Sequence, residues 1–189
     1  AIDLPEGLTT INTAAFNASG IEEIVMPSTL SAIGDGAFYY ALALRSVTFN
    51  EGLENICREA FYGCSSRKEI IIPDSVTSIS RYSVTSAGST SSNYYTFAYC
   101  TSLERVVLGS SVTKIGKYTF YGCSSLKEIE WGGVTTLYGY AFAACGFEEL
   151  TLPEQITSFN TYAFADNVNL KKVYYYSSVS QNYLFANCT

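Results

Sequence analysis

Cysteine is the residue whose type and spacing most invite chemistry here, because thiols can bridge, bind zinc or attack an electrophile. Cys64, Cys100, Cys123, Cys145 and Cys188 each stand three residues after a phenylalanine, and Cys57 lies outside that column. A disulfide framework would show scattered, paired spacings. One cysteine per repeat in one column reads instead as a small buried side chain, the usual habit of a free thiol. Neighbouring helical turns sit ~8–10 Å apart, too far for the Cα separation below ~7 Å that a bridge needs. Cys100, Cys123 and Cys145 are therefore expected to be reduced, buried and aligned. Zinc is disfavoured, since the chain has no histidine and the step from Cys57 to Cys64 is too wide for a zinc knuckle.

Other chemistries fare no better. Without histidine there is no Ser-His or Cys-His pair. Ser-x-x-Lys occurs at Ser65–Lys68, Ser111–Lys114 and Ser124–Lys127, a spacing used by penicillin-interacting enzymes. Two of these follow directly from a repeated Cys-Ser-Ser segment, so the spacing is a by-product of the repeat. Gly34-x-Gly36 lacks the third glycine and the βαβ setting of a dinucleotide site. Aspartates are few and scattered, which gives no calcium loop. The expectation is a segment with no catalytic residue, no cofactor and no metal; an enzyme would need residues outside it.

The elements that would position any binding residue come from a repeat. Phe16, Phe38, Phe61, Phe97, Phe120, Phe142, Phe164 and Phe185 recur at spacings of 22, 23, 36, 23, 22, 22 and 21. A period near 23 means one supersecondary unit stacked many times. Residues 1–189 are thus expected to form one solenoid of about eight coils. Within a coil, Leu103, Val106 and Leu108 end on the two-residue period of a strand with one face inward. Leu44, Val47, Phe49; Leu126, Ile129, Trp131; and Leu170, Val173, Tyr175 are equivalent trios. Strands are predicted at about 23–26, 46–49, 69–72, 105–108, 128–131, 149–152 and 172–175. Pro27, Pro73 and Pro153 close three of them. The short stretch before each Phe predicts a tight turn of helix or 3₁₀, with Ala and Phe inward, after an extended segment.

The full pattern resembles the BspA-like family of bacterial leucine-rich repeats, whose signature reads Ile-Gly-x-x-Ala-Phe-x-x-Cys-x-x-Leu. Ile33-Gly34 through Ala37-Phe38 and Ile115-Gly116 through Leu126 carry the match. The resemblance covers nearly the whole chain and implies an α/β fold: a right-handed solenoid with a parallel sheet on its concave side and short helical turns. It also implies an extracellular or surface-anchored microbial protein, some members being adhesins for host matrix proteins or other cells, and it carries no catalytic residues.

Two departures stand out. The step from Phe61 to Phe97 exceeds a 23-residue coil by 13, and the surplus at 81–93 is Ser/Thr-rich, which reads as a looped-out excursion. The leucine column holds Arg67 in that coil; a buried, unpaired arginine is costly, so either the coil is distorted locally or the side chain snorkels out. The chain also begins mid-repeat and ends just after Cys188 without a polar capping unit, the pattern expected of a slice of a longer protein.

Net charge is −6, with no basic cluster, which argues against nucleic acid and anionic lipid. No apolar run is long enough to insert in a membrane. Two surfaces remain. Outward on the strands lie Glu23, Ser46, Glu69, Arg105, Glu128, Glu149 and Lys172, and two residues on, Val25, Thr48, Ile71, Val107, Glu130, Thr151 and Tyr174. These rows form either a solvated face of mixed charge or a protein-binding face, with Arg105, Glu128, Glu130, Lys172 and Tyr174 as candidate contacts. Two residues before Phe, five consecutive coils carry Tyr95, Tyr118, Tyr140, Tyr162 and Tyr183. That edge either seals the core or supplies a second binding ribbon. The reading is a cell-surface protein-interaction module. Its rivals are a structural spacer and a carbohydrate-binding solenoid using the tyrosine edge.

Overall fold

A computed structural model describes residues 2–81, 93–176 and 183–188. The two-residue alternation around each Leu-x-x-Val-x-Leu segment becomes a run of parallel strands: β1 (Ile2–Asp3), β3 (Glu23–Val25), β5 (Ser46–Thr48), β7 (Glu69–Ile71), β9 (Arg105–Val107), β11 (Glu128–Glu130), β13 (Glu149–Leu152) and β15 (Lys172–Tyr175). All seven predicted strands are present within one residue. Each extended segment adds a second strand, of two residues in all but β6 and β8: β2 (Thr10–Ile11), β4 (Ala32–Ile33), β6 (Asn55–Cys57), β8 (Ser78–Arg81), β10 (Lys114–Ile115), β12 (Thr136–Leu137) and β14 (Ser158–Phe159). These form a second parallel ladder in two parts, β2-β4-β6-β8 and β10-β12-β14, the first of which stacks Ile11, Ile33, Ile56 and Ile79 in register. The fold is a parallel β-solenoid of the leucine-rich-repeat type.

The predicted helical turns are absent: among the described residues there is no helix, so the α/β assignment gives way to strands and turns. The reason lies in the backbone. The residues two before and two after every repeat phenylalanine have positive φ, between 50° and 72°, and they account for every positive-φ residue described except Gly7 and Gly132. A left-handed residue on each side of Phe cannot continue a right-handed helix. Alternate amides then serve different partners. Phe38 N–H donates to Ala60 O of the next coil at 2.7 Å, while Tyr39 N–H donates back to Gly36 O within its own turn at 3.0 Å. Half of the corner's donors thus bind one coil to the next, where a helix would keep them all to itself.

The phenylalanines face inward and stack on one another through the whole chain. Consecutive ring centroids lie 4.9–5.7 Å apart with interplanar angles of 5–15°. Phe61 stacks directly on Phe97 at 5.3 Å, and Ile79 and Phe97 keep their core places. The long step therefore holds one coil plus additional residues; the excursion predicted at 81–93 lies almost wholly outside the described residues.

The cysteine column lies beside this stack, buried at Cys64, Cys100, Cys123 and Cys145 and half-buried at Cys188, and none of the six cysteines is in a disulfide. The corners stack at about the strand spacing rather than at helix distances, so coil separation does not hold the thiols apart. Orientation keeps the thiols apart. Cys64, Cys100, Cys123, Cys145 and Cys188 each donate Sγ–H to the carbonyl of the phenylalanine one coil back, at 3.1–3.3 Å. Asn167 occupies the same column and its Nδ2 donates to Phe142 O at 2.9 Å. Six of the eight positions in this column thus hold a side-chain donor to the previous coil, and Ser19 and Ala41 fill the other two. Cys57, which takes the place of Gly34 and Gly116, coincides with a register shift between Ile56 and Cys57.

Two outcomes test this packing. Phe97→Ala removes a fully buried ring from the middle of the stack and should cost about 3–5 kcal/mol in denaturant unfolding, with Phe97→Leu costing less. A change under ~1 kcal/mol for Phe97→Ala would show that the stack is not the core. Burial raises the pKa of Cys64, Cys123 and Cys145 and pushes that of Cys100 up to about 12. The fold keeps these thiols neutral while the unfolded chain ionises them, so their stabilisation is complete below pH 9 and is lost from there toward pH 12. Melting temperature should hold steady up to that point and then fall, whereas a flat profile through this window would contradict the burial.

Candidate functional site

The outward residues of the long strands stand in rows, as the pleat requires. Glu69, Arg105 and Glu128 are direct cross-strand neighbours, as are Ile71, Val107 and Glu130. Arg105 sits in a cage of carboxylates. It pairs with Glu69 and Glu130 and lies 3.8 Å from Glu128. Hydrogen bonds to Glu69 and Glu130 raise its pKa. The structure therefore brings Arg105, Glu128 and Glu130 together into one exposed cluster. Lys172 and Tyr174 lie farther along, on β15 beyond β13, where the Lys172 ammonium sits 4.5 Å over the Tyr174 ring. They form a second patch rather than part of the first. Val25 and Ile71 on this face are 56% and 54% exposed, enough apolar surface to complement the charges.

The long-strand ladder is not continuous. Its hydrogen bonding runs β1-β3-β5, then β7-β9-β11, then β13-β15, and a cleft opens at each interruption. The second, about 320 Å³, lies between β11 and β13 beside the Arg105 cluster and is lined by Trp131. Here the indole N–H of Trp131 donates to Thr151 O at 2.9 Å. The carbonyls of the first and third strand residues face the preceding coil, as Met26 N–H to Thr48 O and Leu108 N–H to Glu130 O show. Trp131 thus supplies a donor that the missing ladder does not.

The first break is centred on Arg67. The arginine does not snorkel: it is 2% exposed, and of the two expected outcomes the local distortion is the one found. Its guanidinium carbon lies 5.9 Å from the centroids of both Phe49 and Phe61, and Nη2 donates to Glu69 O at 3.1 Å, another carbonyl turned toward the missing neighbour. Nε and Nη1 are buried without a hydrogen-bond partner. Burial lowers the pKa of this guanidinium. A cleft of about 730 Å³ opens here between β5 and β7, with Arg67 in its wall.

The tyrosine edge is also assembled. Tyr95, Tyr118, Tyr140, Tyr162 and Tyr183 stack in sequence at 4.7–5.5 Å and 6–17°. Each has a left-handed backbone. The ring faces are occupied by one another, so the ribbon offers edges and hydroxyls. Burial raises the pKa of Tyr95 and Tyr140. The sequence reading missed how far this array reaches. Tyr39, Tyr40, Tyr62, Tyr99 and Tyr121 join it through further ring contacts. Tyr40 and Tyr99 lie over Gly63 and Gly122 of the following coils, where a Cβ would come within 2.5 and 2.9 Å of the rings. The signal was present as Phe-Tyr pairs and as a Tyr/Gly alternation two residues after Phe.

Among the described residues, no group of three His, Cys, Asp or Glu is placed to hold a metal ion, and no helix is long and apolar enough to cross a membrane.

The family model described as "BspA type Leucine rich repeat region" matches six copies over residues 1–94 and 90–189. No curated protein matches the chain. Among solved structures, a leucine rich cell surface protein from Faecalibacterium prausnitzii A2-165 is similar over 88% of this chain and 42% of its own, with 26% identity and a TM-score of 0.72. A leucine-rich-repeat protein from T. pallidum is similar in fold over 90% of this chain and 77% of its own, with 20% identity and a TM-score of 0.57. The chain thus spans less than half the length of the Faecalibacterium protein.

Proposed function

Since the chain belongs to the BspA-type leucine-rich-repeat family, we propose that it is an adhesin-like protein-interaction module displayed outside the cell, with the long-strand face as its contact surface. The observation that carries this reading is the registered array on that face. Arg105 is held among Glu69, Glu128 and Glu130, and the half-exposed apolar side chains of Val25 and Ile71 share the same surface. A rigid strand ladder fixes the spacing of these groups before any partner arrives, which reduces the ordering cost of binding. The fold family supports it too, since stacked repeats use extended concave surfaces to bind proteins. Lys172 and Tyr174 extend the contact at the far end. The partner is a protein of mixed surface charge, such as a host matrix protein or a protein on another cell. The cell-surface description of the Faecalibacterium relative supports display at the cell surface.

The stacked tyrosine edge is read as a seal on the core. Its ring faces are already covered by one another, which leaves little for a sugar to stack against.

The test uses immobilised extracellular-matrix proteins and a glycan array, with Glu128→Lys compared to Tyr118→Ala and Tyr140→Ala. Glu128→Lys should weaken protein capture about tenfold, equivalent to ~1.4 kcal/mol, with a modest dependence on salt. The tyrosine variants should bind normally if folded. Loss in the tyrosine variants alone would move the site to the edge. Wild-type protein that captures nothing would favour a spacer role.

A further inference from the structure

We propose that the cleft at the break between β5 and β7 is a carboxylate-binding site, with Arg67 as its recognition residue and an acidic side chain of a protein partner as its occupant. The choice of a protein as the source rests on the interaction reading above; the carboxylate chemistry stands on Arg67 and the cleft.

Position is the first argument. Leu44, Leu103, Leu126 and Leu170 fill the equivalent place in other coils and are buried. A leucine fits this column, so arginine there is a departure from the repeat's own rule, and such departures mark functional positions. The energetics point the same way. A buried charge with unpaired donors is unfavourable, and an apolar residue of similar volume usually serves stability better. The contacts to the Phe49 and Phe61 rings and the bond to Glu69 O offset part of that cost. Most of the guanidinium's N–H donors are nonetheless left over, because Nε and Nη1 have no partner.

The surroundings define the ligand. The other two cations lining the cleft already have carboxylates: Arg45 is paired with Glu22 and Glu23, and Lys68 with Glu104. Arg67 forms no ion pair among the described residues, and the nearby Glu69 is held by Arg105. A planar guanidinium with free adjacent donors suits a carboxylate. Glu23, Glu51 and Glu69 also line the cleft and disfavour a dianion such as phosphate, whereas one negative charge is balanced by Arg67. Val47, Phe49 and Ile71 in the wall provide apolar contact for the methylenes of an incoming Asp or Glu. At about 730 Å³ the cleft has the size of a ligand site. The carboxylate engages the guanidinium when Arg67 swings off the two rings into this space.

The experiment follows the arginine Nε–H resonances of the ¹⁵N-labelled chain, with the Arg67 signal assigned by its loss in Arg67→Leu. The probes are N-acetyl-glutamate N-methylamide, its neutral glutamine counterpart, and acetate. The Arg67 resonance should shift saturably with the glutamate probe and not with the glutamine one. Acetate, lacking a stem for the apolar wall, should bind about tenfold more weakly. Arg67→Leu should fold, melt at the same or a higher temperature, and give no saturable response. Absence of a saturable shift in the wild type, an equal response in Arg67→Leu, or a marked loss of stability in that variant overturns the proposal. Acetate binding as well as the glutamate probe overturns a protein side chain as occupant. Glu128→Lys should leave the Arg67 response unchanged, so failure of matrix-protein capture with this response intact counts against the sheet reading alone.

Discussion

The distance between coils is the constraint from which the rest of the structure follows. Parallel backbone hydrogen bonding sets neighbouring strands ~4.8 Å apart, and every side chain in a column must meet its copy at about that separation. Aromatic rings meet it well: the phenylalanines stack at 4.9–5.7 Å without leaving the register of the backbone. Small donors meet it too: cysteine recurs in the column beside the stack and spends its weak S–H on a phenylalanine carbonyl. Where two coils approach even more closely, no side chain fits. A Cβ on Gly133 would lie 1.9 Å from Ser110 O, so glycine there is dictated by contact. Like charges in adjacent rows repel at this spacing, and Arg105 sits between Glu69 and Glu128 on that account.

The same spacing explains what was legible in the sequence. A column repeated at 4.8 Å must repeat in residue type, so the phenylalanine and leucine columns announced the strands and their inward faces. The strand rows of Arg105, Glu128 and Glu130 followed from counting. The corners did not, because their conformation runs against residue preference. Positive φ favours glycine, yet only Gly36, Gly63 and Gly122 are glycines among the sixteen corner positions with that geometry. Tyr118 or Glu59 at such a site gives no local hint of a left-handed backbone. The hydrogen bonds to the next coil, which do not exist in a single isolated repeat, impose it. The interruptions of the long-strand ladder were equally hidden. Only Arg67 gave a sign, as a charged residue in an apolar column.

The two interruptions share a logic. At each, a carbonyl that faces the preceding coil loses its backbone donor, and a side chain takes over: Arg67 Nη2 for Glu69 O, and the Trp131 indole for Thr151 O. The second ladder and the phenylalanine stack continue past the first break, so opening the long-strand face there does not divide the core. A solenoid can therefore relax one face while the other maintains the coil spacing. The reverse also holds: the short-strand ladder is interrupted between β8 and β10, where β7-β9-β11 stays paired and the phenylalanine stack continues. Each face departs from ideal pairing where the other keeps it.

Trp131 and Arg67 nevertheless leave different residues of chemistry behind. The indole has one donor, and Thr151 O satisfies it, so the Trp131 cleft is closed in hydrogen-bonding terms. The guanidinium has five donors, and one backbone carbonyl cannot satisfy them. A break that needed only a substitute donor would be served by tryptophan, or by asparagine as at Asn167, at lower cost than a buried cation. Repair of the ladder accounts for Trp131 in full and for Arg67 only in part. The unmet part is a positive charge with free N–H groups at the wall of an open cleft, and a carboxylate is the group that answers both the charge and the geometry.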